Sequence, residues 1–200
     1  MSLPIIEVGN PVLRCAARPL LPKEIRSPEI RKLIRDMRET MHDAPGVGLA
    51  APQVGHSIQL AVIEDRAQYH KEIAPEQLAA KERRAVPFHA LINPRVVRQS
   101  DETREFFEGC LSLPRYTAIV RRARAVTVAF LDEKGNSRSV EATGWFARIL
   151  QHEIDHLQGH LYIDRMETRS FSSLDNFSEF WKNAPPADVL REIGRSESKG

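Results

Sequence analysis

Apolar residues recur at two periods along this chain, and the change of period marks its elements. Pro4, Pro11, Pro19 and Pro22 predict an extended N-terminal arm over 3–22. A helix follows from Ser27. Its hydroxyl suits the cap, Pro28 the first turn and Glu29 the positive helix end. Ile30, Leu33, Ile34, Met37 and Met41 then repeat at three and four, one buried stripe, and Pro45 follows the helix end. The stretch 46–55 is Gly-rich and predicts no regular element. Residues 58–64 read as a strand, and 65–86 as a charged surface insertion with a helical patch near 75–81. Two short strands, 88–93 and 96–99, flank Asn93-Pro94. Further strands are predicted at 118–120 and 125–131. The last turns through Asp132–Asn136 into a hairpin partner at 137–142. From 144 to 157 the period returns to that of a helix. Ala147, Leu150, Ile154 and Leu157 form its apolar stripe; Trp145, Arg148, Ile149, His152 and His156 form the adjoining face. Leu161–Asp164 reads as a short extended piece. Phe171, Phe177, Phe180 and Trp181 suit a short docked helix, and 195–200 a disordered end. No internal repeat is visible.

Composition narrows the class. Two hundred residues, 42% apolar and 28% charged, suit one compact domain with a tail. A net charge of +2 gives no push towards nucleic acid or an acidic membrane. The basic run Arg121-Arg122-Ala123-Arg124 has no aromatic platform beside it and reads as a solvated edge or bend. Two cysteines argue against a disulfide framework and for a reducing compartment. The N-terminus has neither the charged start nor the apolar run of a secretory signal, and no stretch reaches membrane-span length.

The candidate chemistry sits in Gln151-His152-Glu153-Ile154-Asp155-His156. On a helix, His152 and His156 stand about one turn apart on one side and can share an ion. Glu153 lies about 100° round the helix, off the ligand axis but within reach of a metal-bound water. The same residues also suit an ordinary exposed helix, so the third ligand matters. An extended zinc-protease pattern would need His at 162, where Tyr162 stands. His160 would be about 12 Å from His152 on a continuous helix, and Gly159 is placed to end that helix first. Nothing around Glu167 argues for it. Cys110 can offer a thiolate, a strong soft ligand, although a lone cysteine equally suits a small buried apolar position.

Three separated segments resemble the peptide deformylase signature, in that family's order. They are Gly46-Val47-Gly48-Leu49-Ala50-Ala51-Pro52-Gln53, Glu108-Gly109-Cys110-Leu111-Ser112 and Gln151-His152-Glu153-Ile154-Asp155-His156. Gly9-Asn10-Pro11-Val12-Leu13-Arg14 is similar too. The resemblance is to the type 1 members and spans residues 1–170, leaving 171–200 as a part-helical, part-disordered tail. It implies an α+β fold with mixed or antiparallel sheets around a central metal-binding helix. Family members vary in length over 65–86, which puts that segment outside the chemistry.

The resemblance also implies a reaction. Cys110, His152 and His156 would hold one divalent ion, natively Fe2+, with Zn2+, Ni2+ or Co2+ also fitting the ligands. Activated water would attack the formyl carbon of an N-terminal formylmethionine. Glu153 would take its proton and pass it to the leaving amine, releasing formate. Gln53 and the Leu111 amide would steady the oxyanion with the metal. Val47, Trp145 and Ile149 would wall the methionine pocket, and Gly46 and Gly48 would bind peptide backbone as a strand joins a sheet edge. The implied partner is the N-formylmethionyl end of new polypeptides, with transient ribosome contact, no nucleic-acid site and no membrane. The implied setting is bacterial-type cytoplasm, or an organelle matrix after loss of a targeting segment. Two rivals are a metallopeptidase cutting internal bonds and a non-catalytic module; the latter would be expected to lack Glu153.

Overall fold

The computed structural model describes residues 1–194, so the expectation for 195–200 lies outside the described residues. Helices α1 (Pro22–Ile25) and α2 (Pro28–Asp43) open the chain after its arm. Then come β1 (Gly48–Ala50), β2 (Leu60–Asp65), α3 (Pro75–Ala80), β3 (Val86–Gln99), β4 (Thr103–Cys110) and β5 (Leu113–Ala123). After these come β6 (Ala125–Leu131), β7 (Ser137–Thr143), α4 (Gly144–Leu157), β8 (Ser172–Ser173), α5 (Leu174–Asn176) and α6 (Pro186–Glu192). Every strand pairing is antiparallel. One sheet has the order β1-β2-β3-β6-β7 and the other β4-β5-β8.

Helix α2 forms where the caps direct it: Ser27 Oγ accepts the Ile30 amide at 3.2 Å. Its apolar stripe packs on Leu60, Val62 and Ile92, on one face of the five-stranded sheet. Each fully buried side chain of this kind contributes about 1.5–3 kcal/mol. Alternate strand residues Ile63 and Leu91 point the other way, onto Ala147, Leu150 and Ile154 of α4. The opposite side of α4 meets β5 of the smaller sheet, so α4 is central, as the α+β expectation holds.

Several local expectations change. Residues 46–55 do form structure, β1 and a 3-10 turn at Ala51–Val54, because β1 pairs along β2 and the Gln53 side chain caps the turn by accepting the Ala50 amide at 2.9 Å. The two strands expected around Asn93 are one strand with an irregularity. Asn93 takes φ 50°, and its side chain bonds both backbone groups of Leu20 at 2.8 and 2.9 Å, clipping the arm to the sheet. Tyr162–Asp164 is a 3-10 turn, not extended, since the Asp164 carboxylate accepts the Leu161 amide at 2.8 Å. The aromatic stretch after 171 is broken into α5 and a π-helical turn, Phe177–Trp181, where the Phe177 ring packs tilted against Phe107 at 4.7 Å.

A candidate metal centre at the middle of helix α4

The arm ties two site segments together. Ile6 donates its amide to the Gln53 carbonyl and Val8 to the Ser112 carbonyl, both at 2.8 Å. Cys110 ends β4 at an irregular turn, paired with Leu113. Its Sγ stands 3.3 Å from His156 Nε2, which stands 3.2 Å from His152 Nε2. All three donor atoms lie within 4.8 Å of one another, the one group of three or more such residues so placed among the described residues. Nitrogen and sulfur donors on one tetrahedral zinc-like ion would stand about 3.3–3.6 Å apart. The cage therefore fits a small divalent cation. His152 Nδ1 meets Glu108 Oε2 at 3.0 Å, which turns Nε2 towards the cage.

Glu153 is buried, and its Oε2 has no hydrogen-bond partner. Burial raises its pKa to about 7, the neighbouring His152 opposing. Gly48 makes room for it: a Cβ there would stand 2.2 Å from Glu153 Oε1. Gln53 is buried too, its Nε2 3.2 Å from Ser112 Oγ and 3.5 Å from Cys110 Sγ. A cavity of about 380 Å³ opens over these groups. Gly46, Val47, Gly48, Gln53, Cys110, Leu111, Trp145, Ile149, His152 and Glu153 line it, while His156 lies beneath. Thus all the residues singled out from sequence converge on one place.

A model of the polypeptide deformylase family matches residues 2–171. The chain belongs to the polypeptide deformylase family. It is 43% identical over 192 residues to peptide deformylase 3 of Streptomyces avermitilis, covering 96% of this chain and 84% of that one. Peptide deformylase 1A of Arabidopsis thaliana, named as chloroplastic/mitochondrial, is 45% identical over 172 residues, covering 86% of this chain and 64% of that one. A Met-Ala-Ser-bound crystal structure of the class I type b peptide deformylase of Acinetobacter baumannii superposes with a TM-score of 0.75. There the identity is 32%, with 83% of this chain and 99% of that chain covered. The deformylase family is one of hydrolases, and the chain is an enzyme of that family.

The deformylase motifs also hold a buried charged network beside the cage. Glu108 lies under the cage, fully paired. Arg122 reaches both its oxygens at 2.9 Å and Arg148 one of them at 2.6 Å. Burial alone would push the Glu108 carboxyl up, but Arg122 and His152 outweigh it and hold it well below the usual range. Asp155, inside the His-Glu-Ile-Asp-His run, takes Arg122 and, at 2.7 and 2.8 Å, Arg165. The basic run is therefore not a solvated edge throughout: Arg121 is exposed, but Arg122 alternates with it in β5 and points inward to two carboxylates. A signal was available in the period-two reading of Ala118, Val120 and Arg122. Tyr162, weighed only as a failed ligand position, stacks along His152 at 6.4 Å with its buried hydroxyl unpartnered.

Burial and the charge of His152 lower the pKa of His156. His152 is raised despite its burial, by Cys110 and Glu108. Such a site, with negative groups gathered around one imidazole, suits replacement of that proton by a cation.

Proposed function

We propose that this chain is a metal-dependent hydrolase that removes the formyl group from the N-terminal formylmethionine of newly made polypeptides and releases formate. The carrying observation is the convergence of Cys110, His152 and His156 beneath a cavity into which the unpartnered Glu153 carboxylate opens. Cys110, His152 and His156 would hold one divalent ion, ferrous iron by preference, with zinc, nickel or cobalt also accommodated. When bound, the ion supplies Lewis acidity and acidifies water at neutral pH.

The remaining chemistry falls to the chain. Glu153 takes the proton of the attacking water and returns it to the departing amine; a buried carboxylate near neutrality suits both duties. The Gln53 side-chain amide and the Leu111 backbone N–H donate to the developing oxyanion. Glu108 holds the His152 ring. Trp145, Ile149 and Val47 wall the methionine side chain. Gly46 and Gly48 present backbone to an extended peptide; β1 ends the order of its sheet, which leaves an edge for such addition. The Met-Ala-Ser bound to the Acinetobacter relative supports a peptide N-terminus as the occupant.

The catalytic unit on this reading is residues 1–170, with 171–200 appended. Its substrate leaves the ribosome, so contact there would be transient, in bacterial-type cytoplasm or an organelle matrix. No helix among the described residues is long and apolar enough to cross a membrane.

Anaerobic purification with metal analysis, and a formyl-Met-peptide assay on the same sample, tests the reading. Glu153→Ala is expected to keep its metal and lose about 10²-fold or more in kcat. Full activity in that variant, or no ion in active wild-type protein, would overturn the assignment.

A further inference from the structure

The 65–86 segment reaches the start of helix α4, and its last turn is fixed by three contacts, to that helix, to the β5–β6 junction and back to the segment's own first residue. The Lys81 carbonyl accepts the Trp145 amide at 2.9 Å. Glu82 takes the Arg124 guanidinium at 2.7 and 2.9 Å. Arg83 grips the buried Asp65 at 2.8 and 2.9 Å. Glu82 sits at φ 47°, and Gly144 faces it at φ 57°. A Cβ on Gly144 would stand 2.4 Å from Glu82 Cβ, so only glycine permits the approach.

This seam delivers cations to one indole. Lys81 Nζ lies 4.6 Å from the Trp145 ring centroid and the Arg83 guanidinium 5.5 Å from it. Arg148 stands at 5.9 Å, and Phe106 meets the ring edgewise at 6.3 Å. Among the described residues no carboxylate pairs with Lys81, so the indole face is its electrostatic partner. Trp145 lines the site cavity, whereas Lys81 and Phe106 line a second cavity of about 270 Å³. The Trp145–Lys81 layer is thus a partition with space behind it.

We propose that Lys81 is a specificity-determining positioning residue. Its ammonium, seated on the indole, fixes Trp145 as the back wall of the pocket, and so sets how large a first side chain the substrate presents. The inference rests on the reading that this cavity takes a formyl-peptide.

The test uses full-length Trp181→Phe protein, which leaves Trp145 as the single tryptophan, since the chain has two. Into it go Lys81→Met, which keeps the stem without the charge, and Lys81→Arg, which keeps the charge. Lys81→Met should raise KM for a formyl-Met tripeptide about fivefold. Its kcat should stay within about twofold and its metal content should not change. Selectivity against a formyl-Phe tripeptide should fall, acrylamide should quench Trp145 more readily, and Lys81→Arg should restore each value. Unchanged KM and selectivity in Lys81→Met would overturn the proposal, as would a loss of kcat alone or no rescue by Lys81→Arg. If wild-type protein hydrolyses no formyl-peptide, the functional reading fails instead. Trp145 quenching then still decides whether Lys81 holds the wall: equal quenching in Lys81→Met overturns it.

Discussion

Towards its C-terminal end α4 sets His152 against Glu108, whose oxygens are also taken by Arg122 and Arg148. At its N-terminal end it sets Trp145 against Lys81 and Arg83, and among the described residues no carboxylate is paired with Lys81. Both are cation-rich, yet they constrain differently. Bidentate pairs specify direction, so the ring of His152 has one orientation. A cation over a ring face specifies distance but tolerates sliding. A metal cage needs its donors held to a few tenths of an ångström, while the wall of a side-chain pocket does not. The rigid means is spent where geometry is strict.

The largest break in this contrast is Glu108→Ala. It leaves two buried guanidiniums short of a partner and His152 Nδ1 without an acceptor. Removing one member of a buried ion network costs about 3–5 kcal/mol, and losing such support costs about 10–100-fold in metal affinity. Urea unfolding and metal titration of the variant should show both. Unaltered metal affinity would mean that the cage orients itself. Glu108→Gln should recover part of the stability, because the amide still accepts one hydrogen bond.

This contrast also shows what the sequence can carry. The cage is built from a helix and one strand end, so local spacing put His152 and His156 together. The third member of the cage, Cys110, was singled out only through the family resemblance. Arg122 and Arg148 belong to the same network, but nothing local says which carboxylate an arginine reaches across the sheets. Lys81 is less legible still. Its importance depends on a seam closed by Gly144, some sixty residues on, and a charged segment of variable length looks like surface. Helices α2 and α4 were read from a cap and apolar stripes, whereas α1 at Pro22–Ile25 and α6 at Pro186–Glu192 were not. The 3-10 turn at Ala51–Val54 was missed because a side chain, Gln53, replaces a backbone partner there.

Glu153 follows His152 directly in the helix, and its buried Oε2 has no hydrogen-bond partner. Its position depends on Gly48, where a Cβ would stand 2.2 Å from Oε1. Gly48→Ala should therefore push the carboxylate aside while metal content and fold remain. A displacement of about 1 Å at a reacting group costs on the order of 10²-fold in rate. Steady-state kinetics should show the fall in kcat, with circular dichroism and metal analysis unchanged. If kcat held, Glu153 would have freedom that its packing denies.

The smallest effect separates the two ends by pH. Burial, then Arg83 and Arg148, lower the Lys81 pKa to about 8 from its ordinary 10.5. Glu76 and Lys182 line the cavity behind it. Between those values the unfolded chain holds a proton on Lys81 that the folded chain has released. Stability attributable to Lys81 should therefore rise with pH through this range. Over the same range the ammonium leaves the indole, so KM for a formyl-Met peptide should rise by a few-fold. Urea midpoints and KM measured from pH 7 to pH 10 would thus climb together, an unusual pairing, since a loosened fold would move them apart. In Lys81→Arg, whose guanidinium keeps its charge throughout, the Lys81-dependent part of both slopes should vanish. A KM rise of the same size in Lys81→Arg would assign it to groups at the metal end, and the wall would then have no part in it.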